Sequence, residues 1–168
     1  SVFNYKPAKN NKSWIIPLLP NFGDMREFNS TQYVLDKTEK QFKIPETAKF
    51  LKLNNFEPGY YIADYSAGDL AKLLPEIENK TFSSIDRLAI IRNLLLLVKS
   101  SKISTEVYLE VLKFYQNDDS YIVWAEIASG FSDLMKAFHG TPGYELLNKY
   151  RLKLFGKLAL MLLFKKFA

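Results

Sequence analysis

The chain of 168 residues has no cysteine and one histidine, His139. Without cysteine there is no disulfide, no thiolate metal ligand and no thiol nucleophile. That composition favours a cytoplasmic setting slightly and also suits a secreted chain that happens to lack the residue, so localisation stays open. One imidazole is too few for most histidine-based metal sites. Long apolar runs are missing too: nothing before Trp14 reads as a signal peptide or an anchor, and no membrane span is expected. The first residue is Ser1 rather than methionine, so the lack of a leader says nothing about the compartment.

What is present is ample core material, 48% apolar with 15% aromatic, and a net charge of +5. The excess charge is local. Lys149, Arg151, Lys153, Lys157, Lys165 and Lys166 follow one another with no acid between them, and the remainder of the chain is close to neutral. This distribution argues against a nucleic-acid surface. Beside Leu158 to Phe164 the basic residues could form an amphipathic helix for a membrane surface or an acidic partner. A packed helix with snorkelling lysines is the commoner meaning.

Between Trp14 and Tyr65 the short segments WIIPLLP, FNSTQYVL, KQFKIP, KFLKLN and YYIADY are rich in β-branched and aromatic residues and are punctuated by Pro, Gly and Asn. They predict a small antiparallel β-sandwich. Pro17, Pro20 and Pro45 belong at strand ends or edges. Pro58-Gly59 suits the centre of a type II turn, with Gly59 at positive φ, folding Leu51 and Leu53 back toward Tyr61 and Ala63 in a hairpin. After Tyr65 the period becomes helical. Ser66 with Asp69 starts a short helix that Pro75 should end. Ser83 or Ser84 with Asp86 starts another, bearing Leu88, Ile91, Leu95 and Val98. A third opens at Ser104, with Val107, Val111 and Phe114 on one face. A fourth follows Asp118, Asp119 and Ser120 and carries Trp124, Ile127, Phe131, Leu134 and Phe138. Gly140 to Gly143 is a break, and a fifth helix starts near Tyr144, with Leu154, Leu158, Met161 and Leu162 as its stripe. Short loops between amphipathic helices predict a helical array.

Trp14, Ile16, Pro17 and Leu18, then Asn54, Gly59, Tyr60 and Tyr61, then Asp86-Arg87, then Tyr121 and Trp124 have an order and spacing that resemble the zinc aminopeptidases of the aminopeptidase N, puromycin-sensitive and endoplasmic-reticulum aminopeptidase family. The resemblance runs from about Trp14 to Leu134. Ile62 and Asp64 depart from the family's hairpin, and the acid expected before the Tyr-x-x-Trp helix is matched loosely, by Asp118 or Asp119. The resemblance implies an α+β chain in two segments: residues 1–66 as the family's third, β-sandwich domain, its first strand upstream of Val2 and Phe3, and residues 67–168 as the start of the helical C-terminal domain, an array of the HEAT or armadillo kind.

The family's chemistry uses an H-E-x-x-H helix with a distant Glu to hold zinc, and a G-x-M-E-N strand to bind the substrate's amine. Neither motif is here: one histidine cannot supply two, and Gly23-Asp24-Met25 is followed by nothing that completes the amine site. No catalytic, cofactor-binding or metal residue is therefore assigned, and zinc is expected only in a parent enzyme. Ser83, Ser84 and Ser104 read as helix caps, Asp118-Asp119 as acids complementing a helix N-terminus, and His139 as a helix C-cap. Asn11, Asn29 and Asn79 lie in N-x-S/T sequons. The resulting expectation is a non-catalytic part of an aminopeptidase that shapes the substrate chamber, with the remaining domains of the parent as partners and peptides as candidate ligands. The alternative is a stand-alone module of sandwich and helices that binds a protein or peptide.

Overall fold

The computed structural model describes residues 14–23 and 33–166, with side chains described through residue 159. Val2, Phe3, Asn11, Met25, Asn29 and most of the FNSTQYVL segment lie outside the described residues, as do the side chains of Met161 and Leu162.

The amino-terminal part does not show the expected β-sandwich. Among the described residues, strands β1 (Ile16–Pro17) and β2 (Val34–Leu35) form one antiparallel pair, with Ile16 opposite Leu35 and Pro17 opposite Val34. The amide of Leu18 extends it by donating to the Tyr33 carbonyl at 2.9 Å. An isolated antiparallel bridge joins Asn21 to Lys52. Prolines 17 and 20 account for part of this brevity, since neither can donate to a ladder.

The expected hairpin from Leu51 to Ser66 is a second correction. Asn54, Phe56 and Glu57 adopt left-handed φ values of 55°, 61° and 59°, which turn the chain out of an extended path. Gly59 is not at positive φ, so the type II turn is not formed. What demands glycine there is space: a Cβ on Gly59 would lie 2.7 Å from the Tyr61 ring and 2.8 Å from Asn54 Oδ1.

Among the described residues five helices follow: α1 (Ala67–Glu78), α2 (Ser84–Lys99), α3 (Thr105–Leu112), α4 (Tyr121–Phe138) and α5 (Gly143–Lys166), with a 3₁₀ turn at Lys113–Tyr115. Ser66 caps α1, its Oγ accepting from the Asp69 amide at 3.1 Å and donating to Asp69 Oδ2 at 2.7 Å. Pro75 does not end α1, which continues one more turn to Glu78. The carbonyl left without a donor belongs to Ala71, on the exposed side, where water can satisfy it.

Helix α2 is buried on most of its circumference and packs most extensively on α4, also touching α3; α4 in turn meets α5, and α1 packs on the 3₁₀ turn. At Gly130 the backbone of α4 comes close to α2 and α3, where a Cβ would fall 2.5 Å from Tyr108 Oη and 3.3 Å from Leu95 Cδ2. Trp124, Ile127, Phe131 and Leu134 form the expected core stripe of α4, with Phe138 half-buried at its end. On α3 the core face is Tyr108, Val111 and Leu112, whereas Val107 is exposed, one residue off the expected stripe. The same core takes in Phe50, whose ring meets Phe82 edge-on at 5.1 Å.

Candidate functional site: a buried polar hub at the start of α2

The Asp86-Arg87 dipeptide occupies the first turn of α2, just after the Ser83 cap. Ser83 Oγ accepts from the Asp86 amide at 3.1 Å and donates to Asp86 Oδ2 at 2.6 Å, a reciprocal cap that fixes the carboxylate. The other oxygen, Oδ1, faces the preceding segment. It accepts from the Phe56 amide at 2.8 Å and pairs with the ammonium of Lys52. Lys52 is 1% exposed and commits its other two protons to the Asn54 carbonyl and Glu57 Oε1, each at 2.8 Å. A buried ammonium with all three donors used is the arrangement that compensates loss of water.

Asn54 organises the turn above this pair. Its Oδ1 accepts from the Gly59 amide at 2.7 Å, and its Nδ2 donates to the Gly59 carbonyl at 2.8 Å and to Glu57 Oε2 at 3.0 Å. A side-chain amide thus replaces the backbone pairing a hairpin would have used. Tyr61 Oη donates to the Leu18 carbonyl, and Tyr65 Oη accepts from the Leu53 amide at 2.9 Å. Burial pushes both phenols above their ordinary range.

Arg87 faces the other way. Its Nε and Nη2 hold Asp118 as a fork at 2.6 and 3.1 Å, and Nη1 donates to the Phe82 carbonyl at 2.6 Å. Both partners are buried. Asp118 Oδ1 also accepts from the Ser120 amide at 2.8 Å, and its carbonyl accepts from Trp124 Nε1 at 2.8 Å, so the start of α4 is tied to the start of α2. Tyr115 Oη closes the circuit on the Arg87 carbonyl at 2.9 Å.

Of the residues singled out by sequence pattern, the hub gathers Leu18, Asn54, Gly59, Tyr61, Asp86, Arg87 and Trp124. Trp14, Tyr60 and Tyr121 are exposed on the surface. Asp118 and Asp119 do not act together: Asp118 belongs to Arg87, and Asp119 pairs with Lys80 at 2.9 Å on the surface. His139 is the C-cap of α4, its ring against Tyr144 at 5.8 Å. Asn79 sits at the exposed C-cap of α1. Lys52 carries no signal in the sequence. It lies between two leucines in a segment with other lysines, and only its contacts distinguish it.

The hub's chemistry is that of a structural joint. Its acids are each bound to a base or an amide, and no side chain in it is placed as a nucleophile. Among the described residues no three His, Cys, Asp or Glu side chains converge as a metal-ligand set, so the donors at hand do not fit a zinc centre. Among them, too, no helix is long and apolar enough to cross a membrane. Elsewhere a groove of about 1000 Å3 runs between α4 and α5, lined by Phe131, Met135, Leu152 and Phe155 together with Lys136, His139 and Arg151.

Comparison with known proteins places these features in a wider set. The sequence profile of the ERAP1-like C-terminal domain family matches residues 50–167. The chain is 27% identical over 127 residues to a puromycin-sensitive aminopeptidase of Caenorhabditis elegans, covering 74% of this chain and 13% of that protein. It is 28% identical over 127 residues to an aminopeptidase N of Lactococcus lactis, covering 76% and 15%. Human glutamyl aminopeptidase is 24% identical over 153 residues, covering 86% and 16%. In each case the chain spans a small fraction of the curated relative's length.

Proposed function

Since the chain belongs to the ERAP1-like C-terminal domain family, we propose that it is the non-catalytic C-terminal portion of a zinc-dependent aminopeptidase, its helices helping to wall the chamber in which peptides lose their N-terminal residues. The observation that supports this reading most is the coincidence of the matched region with one packed body. The match begins at Phe50, which joins the helical core, and it takes in both buried ion pairs of the hub, Lys52–Asp86 and Arg87–Asp118. The division into residues 1–66 and 67–168 is proposed with it as a boundary that packing crosses at Phe50 and Lys52, and the remaining domains of the enzyme are the partners. Peptide contact would fall on the helical surface, and zinc would be held on those other domains, a reading supported by the lack of a converging donor set among the described residues.

The test is to sequence the complete reading frame, express its full product, and assay chelator-sensitive release of amino acids from peptides, alongside the 168-residue chain alone. An H-E-x-x-H motif upstream and activity in the long product only are expected. A complete frame without that motif, giving a product with no aminopeptidase activity, would overturn the proposal in favour of a stand-alone interaction module.

A further inference from the structure

We propose that Lys52 is the pin that couples the β segment to the helical array, so that the two move as one body while it is paired and separately when it is not. One residue serves both sides. Through its backbone, Lys52 holds the β segment: the Asn21 amide donates to its carbonyl at 2.7 Å and its own amide donates to the Asn21 carbonyl at 2.8 Å. Through its side chain it holds the helices, by the buried pair with Asp86 in the first turn of α2. The covalent link between the two parts is the turn-rich path from Leu53 to Ser66, which by itself transmits little orientation.

The surroundings are strained in a way that needs such a pin. Leu19, Asn54, Phe56 and Glu57 are four non-glycine residues in left-handed backbone at φ 45°, 55°, 61° and 59°, and they lie together, since Asn55 donates to the Leu19 carbonyl and Asn54 to the Leu18 carbonyl, each at 2.9 Å. Residues held there persist only where neighbouring contacts outweigh the strain. The Lys52 ammonium supplies two of those contacts, to Asn54 and Glu57, and pairs as well with Asp86, which itself accepts from the Phe56 amide. Removing it would leave the Asp86 carboxylate buried without its counter-ion, and relaxation toward water would draw the 54–57 turn off α2.

The test is hydrogen exchange read by mass spectrometry on the whole chain and on Lys52→Met, which keeps the aliphatic stem, with Lys52→Met/Asp86→Asn as a second variant that neutralises the pair and retains a capping side chain. Both are expected to speed exchange in peptides covering residues 18–23 and 50–59 by about tenfold or more, while peptides within 91–98 of α2 and within α4 keep wild-type rates. Ile127→Val, a core change on α4, is expected to leave 18–23 and 50–59 unaltered. Equal acceleration throughout the chain, or no acceleration at 18–23, in the double variant would overturn the proposal, and if Lys52→Met fails to fold the double variant decides on the same criterion.

Discussion

A side chain at Gly59 has no room, because its Cβ would overlap the Tyr61 ring and Asn54 Oδ1 together. Gly59→Ala is therefore expected to lower stability by about 1–3 kcal/mol through overpacking. Urea melts check this: a midpoint for Gly59→Ala equal to wild type would refute the steric account. Single side chains are the features that sequence pattern constrains least. Gly59 stood out, but for its torsion angle rather than for what sits above it. Lys52 did not stand out at all, since its burial depends on an aspartate 34 positions away. Pattern offers Asp118 or Asp119 as the acid before the Tyr-x-x-Trp helix but gives it no partner, and only the fork geometry shows that Asp118 pairs with Arg87.

Helices were legible at the level of elements because their signals are local. Ser66 with Asp69 and Ser83 with Asp86 are caps written within four residues, and the stripe on α4 is a period of the sequence itself. The β elements were not, because whether KQFKIP or YYIADY pairs depends on distant partners and on the side-chain bonds of Asn54, which have no periodicity. Proline misled in α1 for a related reason: its effect depends on whether the carbonyl four residues back can reach water. That carbonyl, at Ala71, lies on the exposed side of an intact helix, so Pro75→Ala would supply the missing donor without disturbing packing. The loss of proline's restraint on the unfolded chain opposes the gain, and a net stabilisation of about 2 kcal/mol is expected. Urea denaturation measures it, and an unchanged or lowered midpoint would show that the helix accommodates Pro75 at no net cost.

For the molecule as a whole, the buried tyrosines predict an alkaline limit. Burial pushes the Tyr150 phenol up to about 12, and Tyr61, Tyr65, Tyr108 and Tyr115 are raised as well, by burial first. A phenol whose folded value lies above its unfolded value of about 10 stabilises the fold fully below that pH and loses the contribution as pH climbs through the folded value. The chain should therefore keep its helices past the ordinary tyrosine range, with part of the phenolate absorbance appearing only as helical dichroism collapses above about pH 11. Full phenolate absorbance with the helical signal intact would contradict it. The adjacency of Asp86 and Arg87 bears on kinetics too. One dipeptide closes two chain loops, of 34 residues back to Lys52 and 31 residues forward to Asp118. Their closure entropies differ by only about 0.1 kcal/mol, so chain length favours neither order of assembly. The sequence of events during folding is then left to whichever flank first presents its partner, and a nick in one loop would slow one arm without erasing the other.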